Sequence, residues 1–200
     1  MSRSKSPFVW FILALFTAAA LTALGPQEQS LGDNSQVIYL HSAWTLTAET
    51  TLALSALAGL LGILTRRERL HRWSDALGRS GVSFWVVILP LSLWAMQTNW
   101  AELFGGNLRF RAIVILVAVG IFLQIILSLA NRPVLTSLSN VLYYIALQIG
   151  LLQAKNALHT STLPGPSFDG LAFQLFYVGL VFLTMAAAYF MTRWWLRRQS

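Results

Sequence analysis

Six apolar runs, separated by short segments rich in Arg, Gly, Pro, Asn and Ser, account for most of the 200-residue chain. A hydrocarbon core of about 30 Å needs roughly 20 mainly apolar residues per helix, and an open sheet edge cannot satisfy its hydrogen bonds in lipid. The pattern therefore predicts an all-α integral membrane protein with one domain, residues 1–200, of six transmembrane helices. We place these helices at about 8–24, 43–64, 82–98, 112–130, 134–153 and 171–191.

The first run follows two basic residues, Arg3 and Lys5, and has the composition of a signal peptide. However, Pro26 directly after Gly25 makes a poor cleavage site. We therefore expect this segment to be retained as the first helix.

Composition and charge agree with a membrane protein. Hydrophobic residues make up 56% of the chain and charged residues only 10%, which excludes an ordinary soluble domain. The basic residues, whose excess over the acidic ones gives a net charge of +7, lie outside the apolar runs. If the N-terminus is cytoplasmic, eleven of the fourteen Lys and Arg residues fall in inner segments. The positive-inside rule thus predicts a multi-pass protein of the cell inner (plasma) membrane with both termini cytoplasmic, N-in and C-in.

The most basic segment, residues 65–73, has the composition of a nucleic-acid-binding patch. We expect instead an inner loop held against the anionic headgroups of the lipid bilayer, with no nucleic-acid partner. His71 belongs to this segment, and the sequence predicts that it is exposed to solvent.

Two polar features lie inside the predicted spans. In the fifth span, Asn140, Tyr143, Tyr144 and Gln148 recur at three- and four-residue spacing. They define one polar face, which predicts hydrogen bonds to neighbouring helices. In the second span, Glu49 either lines a polar pocket or extends toward the outer surface.

The chain has no cysteine, so its three histidines are the main candidates for metal chemistry. The predicted topology places two of them, His41 and His159, on the outer face. Two neutral imidazoles can supply both axial positions of a haem iron. They cannot complete a tetrahedral zinc site, but Glu49 would offer a third ligand, so a zinc site remains an alternative, as does a structural role for both histidines.

The segment between the third and fourth spans is also predicted to lie on the outer face. Arg109 and Arg111 are suited to pair with carboxylates such as haem propionates, and Trp100 and Phe104 offer flat apolar surfaces for a porphyrin. The alternative is an interfacial aromatic belt, with Arg109 neutralising Glu102. The chain contains no serine elbow, phosphate-binding glycine loop or HExxH pattern, so we predict no catalytic residues and no enzyme activity.

Three outer elements together resemble the haem exporter protein C (CcmC) branch of the cytochrome c assembly membrane proteins. Residues 39–44, Tyr-Leu-His-Ser-Ala-Trp, are similar to the family's Tyr-Ile-His-x-x-Ala-Trp element, and residues 156–159, Asn-Ala-Leu-His, match its Asn-x-Leu-His element. The first has one residue between the histidine and the Ala-Trp pair, where the family element has two. The outer loop departs further, because the family's Trp-Gly-x-x-Trp-x-Trp-Asp-x-Arg pattern is reduced here to Trp100, Phe104, Asn107 and Arg109.

The resemblance implies six helices with both termini inside, and it assigns His41 and His159 as the axial ligands of a non-covalent haem b. It adds Trp44, from the first element, to the residues expected around the haem. The implied function is to hold haem at the outer, periplasmic face for c-type cytochrome biogenesis. The implied partners are an ABC-type haem-maturation complex and a membrane-anchored haem chaperone.

Two other functions remain open at this point. One is a membrane-anchored electron-transfer subunit, whose bis-histidine b-type haem stays bound and changes redox state. The other is a non-haem scaffold that keeps the six-helix fold without the site. Haem that can be transferred to another protein indicates the biogenesis function, and haem that stays bound indicates the electron-transfer subunit. Absence of haem indicates the scaffold.

Overall fold

The computed structural model describes residues 6–27, 35–99, 108–156 and 170–199. These residues form helices joined by turns, with no strand among them. The helices are α1 (Pro7–Ala23), α2 (Ser35–Thr65), α3 (Glu68–Asn99), α4 (Leu108–Ala130), α5 (Pro133–Asn156) and α6 (Leu171–Arg198). Helices α2 to α6 are each long and apolar enough to cross a membrane, and α1 is a shorter apolar helix of 17 residues. The chain is thus an all-α, membrane-embedded protein.

Two tight turns join neighbouring helices. The α2–α3 turn consists of residues 66–67, and Arg66 adopts a left-handed backbone conformation with φ 54°. The α4–α5 turn consists of residues 131–132, and Asn131 has φ 47°. Asparagine tolerates this region better than most residues. Pro133 then begins α5, where its fixed φ suits a helix and its missing amide hydrogen costs nothing.

Consecutive helices run in opposite directions, which creates two ends of the bundle. The turn end contains both tight turns and the last turn of α6. The opposite end, here called the His41 end, contains the first turns of α2, α4 and α6. Helix α6 runs antiparallel to α1, since Phe8 lies beside Trp194 and Gly25 lies against Phe176. It runs parallel to α2, since Tyr39 contacts Phe173 and, further along both helices, the Thr47 and Thr184 hydroxyls are 2.7 Å apart.

The third helix begins 14 residues before the predicted span, at Glu68 rather than at residue 82. The expected inner loop is therefore mostly helix, and the prediction that His71 is exposed to solvent was wrong. His71 is only 5% exposed, and its Nδ1 lies 2.6 Å from Ser137 Oγ on α5. The reason is that a two-residue turn brings the start of α3 directly against α2, where Gly62 leaves room for the imidazole.

The predicted polar face of α5 is confirmed for Asn140 and Tyr143. The Asn140 side-chain amide donates to the Ser74 carbonyl of α3 at 3.0 Å, and its oxygen accepts from Gln124 of α4 at 3.1 Å. The Tyr143 hydroxyl donates to the Leu116 carbonyl of α4 at 2.9 Å. These hydrogen bonds join three helices inside the apolar part of the bundle, where water does not compete with them.

Glycines allow the helices to approach closely beside this cluster. A Cβ at Gly59 of α2 would lie 2.8 Å from the Ser137 carbonyl oxygen of α5. A Cβ at Gly78 of α3 would lie 2.7 Å from the Asn140 side chain. Small residues at such contacts are the usual means by which membrane helices pack without a hydrophobic driving force.

Candidate functional site

His41 lies in the second turn of α2, at the His41 end of the bundle, and is half-buried. Its Nε2 is 2.9 Å from the Ser92 hydroxyl of α3. Ser92 itself is buried. Which of the two groups donates depends on the imidazole tautomer. In either tautomer this contact joins α2 to α3.

Sequence reasoning did not identify Ser92, although the chain carries a signal for it. His41 and Ser92 lie the same number of residues before and after the 66–67 turn. In an antiparallel helical hairpin with a tight turn, residues at equal distances from the turn lie at the same depth. The length of the turn was the missing information, because the sequence predicted a long basic loop there.

Trp44 lies one helical turn below His41 and fills the space between α2 and α3. Its indole Nε1 donates to the Phe84 carbonyl at 2.9 Å, and its ring stacks on Phe84 with the ring centroids 4.6 Å apart. Residues three apart lie on the same face of a helix. Trp44 therefore fixes the part of α2 that carries the imidazole.

On its other side, the first part of α2 packs on α6. Tyr39 is fully buried and contacts the rings of Phe173, Phe176 and Tyr177. The Tyr177 hydroxyl also lies 3.3 Å from Ser42 Oγ. The backbone around His41 is thus held by α3 and α6 together.

The structure describes only some of the other predicted site residues. Arg111 is exposed in the first turn of α4, at the same end of the bundle as His41. Arg109 lies in the same turn, but its side chain is outside the described part. His159, Trp100 and Phe104 lie outside the described residues altogether; α5 is described as far as Asn156, which is at the His41 end.

The zinc alternative has no further support in the described part of the chain. Within residues 6–27, 35–99, 108–156 and 170–199, no three His, Cys, Asp or Glu side chains come together in a group that would hold a metal ion. Glu49 is half-buried in α2, two turns beyond His41.

No family model matches this chain, and no curated protein sequence matches it.

The His41 imidazole is half-buried, and its Nε2 is in contact with the buried Ser92 hydroxyl. A half-buried imidazole at the end of a helical bundle can coordinate iron through Nε2 while its ring remains packed. Nε2 cannot bind iron and keep its hydrogen bond to Ser92 at the same time. Ser92 is therefore the residue that distinguishes a ligand role of His41 from a structural one.

Proposed function

We propose that this protein is a membrane haem-handling protein of c-type cytochrome biogenesis, which holds haem b non-covalently at the outer face for delivery to a chaperone. The observation that carries the proposal is the position of His41. Its imidazole is half-buried at the end of the bundle where α5 also ends, three residues before His159. Both histidines belong to short elements that resemble those of the haem exporter protein C family.

We further propose that all six helices span the inner (plasma) membrane with both termini cytoplasmic. The alternating helix directions support this topology, since they bring α1's first turn and α6's last turn to one end of the bundle. Both turns at that end are basic, with Arg66 and Arg67 in one and Arg132 in the other. The positive-inside rule then makes the turn end cytoplasmic and the His41 end periplasmic.

Each site residue has a separate task in this proposal. His41 and His159 would hold the haem iron, and His41 would give up its Ser92 contact to do so. Arg109 and Arg111 neutralise the haem propionates. Trp100 and Phe104 cover the porphyrin, while Trp44 keeps the His41 turn in place. An ABC-type maturation complex and a membrane-anchored haem chaperone are the partners that the family resemblance implies.

The test is the pyridine-haemochrome spectrum of the detergent-purified protein, expressed with ample haem. We expect a bis-histidine b-type spectrum in the wild type. His41→Ala and His159→Ala should each reduce bound haem at least tenfold, because each removes one iron ligand. Ser92→Ala should retain wild-type haem, since its hydroxyl is displaced when His41 binds iron.

The scaffold function is the second candidate, and the His41–Ser92 contact favours it, because a hydrogen bond between helices is sufficient to explain the histidine. In that case the purified wild type contains no haem. Ser92→Ala then lowers the free energy of unfolding by about 1 kcal/mol, as expected for one hydrogen bond, and His41→Ala lowers it by at least as much. A haem-free wild type with this pattern would overturn the haem proposal.

Delivery is separated from electron transfer by mixing the haem-loaded protein with apomyoglobin. A delivery protein gives up its haem to the apoprotein, which is followed by the myoglobin Soret band. An electron-transfer subunit keeps its haem through the same incubation and changes only its redox state on reduction.

A further inference from the structure

A cavity of about 590 Å³ lies at the turn end of the bundle, opposite to the His41 end. Its walls come from the beginning of α3, the α4–α5 turn, the beginning of α5 and the end of α6. The volume is within the range of about 300–1,000 Å³ that is usual for small-molecule sites. The cavity shares no lining residue with the proposed haem site.

The charge of this cavity is strongly positive. Four arginines line it, Arg72, Arg79, Arg132 and Arg198, against one carboxylate, Asp75. They come from α3, the α4–α5 turn and α6, so three separate segments direct guanidinium-bearing residues to one place.

The one carboxylate is already engaged. Arg79 Nε donates to one Asp75 oxygen at 3.0 Å, and the Gln199 side-chain amide donates to the other. Arg72 and Arg132 are exposed, and neither forms an ion pair with any carboxylate of the described residues. Much of the positive charge of the cavity is therefore not neutralised within the described chain.

A polar group in the cavity wall also favours the binding of an anion. Trp195 stacks under Arg79, with its ring centroid 5.2 Å from the guanidinium carbon, and its buried Nε1 has no acceptor among the described residues. Buried donors nearly always have a partner. Pro133 and Thr136, from the first turn of α5, also line the cavity, so the positive end of the α5 helix dipole lies at its wall.

We propose that this cavity is a binding site for a phosphate group, carried either by a phospholipid headgroup or by a soluble phosphate ester. Guanidinium forks match the oxygens of phosphate in geometry and charge. The Trp195 indole supplies a further donor, which a phosphate oxygen accepts. A ligand that bridges Arg72, Arg132 and Arg198 holds the ends of α3, α5 and α6 together.

The experiment uses the full chain in a neutral detergent and measures binding by microscale thermophoresis. The probes are dihexanoyl phosphatidic acid, which carries an anionic phosphate on a short-chain lipid, dihexanoyl phosphatidylcholine as its zwitterionic counterpart, and glycerol 3-phosphate as the soluble ester. The test variant is Arg72→Gln with Arg132→Gln. The matched control is Arg67→Gln with Arg69→Gln, which removes the same charge from exposed positions at the same end, outside the cavity.

We expect the Arg72/Arg132 variant to bind phosphatidic acid roughly 30-fold more weakly, at about fivefold for each arginine. The Arg67/Arg69 control should stay within about twofold of the wild type. Trp195→Phe, which keeps the ring against Arg79 but removes the N–H, should weaken binding by a few-fold. Unchanged helical circular dichroism and elution volume establish that the variants are folded.

The two phosphate probes identify the source of the ligand. Tighter binding of phosphatidic acid than of glycerol 3-phosphate assigns a lipid headgroup, and equal binding of the two assigns a soluble phosphate ester. Equal losses in the two double variants would show only general surface charge and overturn the proposal. Absence of binding to both phosphate probes in the wild type would overturn it as well.

Discussion

Gly59→Leu should lower the free energy of unfolding by roughly 3 kcal/mol, at the upper end of the range for overpacking a buried contact. A Cβ at this position would lie 2.8 Å from the Ser137 carbonyl oxygen and 2.9 Å from Ser74 Oγ. The carbonyl belongs to the backbone of α5, so it cannot rotate away as the end of a side chain would. The helices must separate, and the measurement is an unfolding titration in mixed detergent micelles followed by circular dichroism.

Ala146→Leu is the matched control for this substitution. Ala146 lies on the exposed side of α5, where added carbon atoms face detergent or lipid. We expect its unfolding free energy to stay within about 0.5 kcal/mol of the wild type, as for most surface substitutions. Equal stability of the two leucine variants would contradict the close contact between α2 and α5.

Asn140→Leu is expected to lower the free energy of unfolding by a similar amount, between about 2 and 3 kcal/mol. The substitution conserves approximate size but removes the donor to the Ser74 carbonyl and the acceptor for Gln124. A buried polar group that loses its partner costs about 1–3 kcal/mol. The same unfolding titration measures the effect.

Two further variants separate lost hydrogen bonds from a general effect of leucine. Gln148 lies two turns further along α5 and makes no hydrogen bond with the described residues, so Gln148→Leu should leave stability nearly unchanged. Adding Gln124→Leu to Asn140→Leu should recover part of the loss, because the unpaired Gln124 amide is then removed together with its partner. If the double variant loses as much stability as Asn140→Leu and Gln124→Leu lose together when measured singly, a direct Gln124–Asn140 interaction is contradicted.

The coarse architecture could be predicted because hydropathy and membrane thickness restrict a sequence of this kind to apolar helices. The polar face of α5 could also be predicted, since Asn140 and Tyr143 recur at helical spacing and polar groups in lipid need partners. Helix boundaries were less accurate. Apolar runs mark the part of a helix in contact with lipid, whereas α2 and α3 extend beyond those runs, to Ser35 and Glu68. The extension of α2 packs on α6, and that of α3 packs on α5.

The environment of His71 shows why the packing at the start of α3 could not be predicted from the sequence. In α3, His71, Ser74, Gly78 and Gly81 recur at intervals of three and four, which is the pattern of one buried helix face. The arginines of the same segment masked this pattern, because they suggested a solvated loop. A short polar face beside arginines becomes interpretable only when the neighbouring helix and the length of the turn are known.

For the candidate site, the sequence predicted the position of His41 but not its contacts. The placement of His41 at one end of the bundle follows from the order of the spans. Its contact with Ser92 and the stacking of Trp44 on Phe84 depend on the rotation of α2 about its axis, which the weak amphipathicity of this helix does not define. The haem ligand role of His41 and His159 stays a prediction, and Ser92→Ala is its most informative control.

The packing of α1 affects the order in which the protein can assemble during synthesis. The α2–α3 and α4–α5 pairs are each joined by two residues, so each hairpin can form as soon as its second helix has been made. Helix α1 instead packs mainly on α6, through contacts such as Phe8 with Trp194 and Trp10 with Phe190. Helix α1 therefore acquires its main packing partner only after α6 has been made, and the bundle closes only when both helices are present.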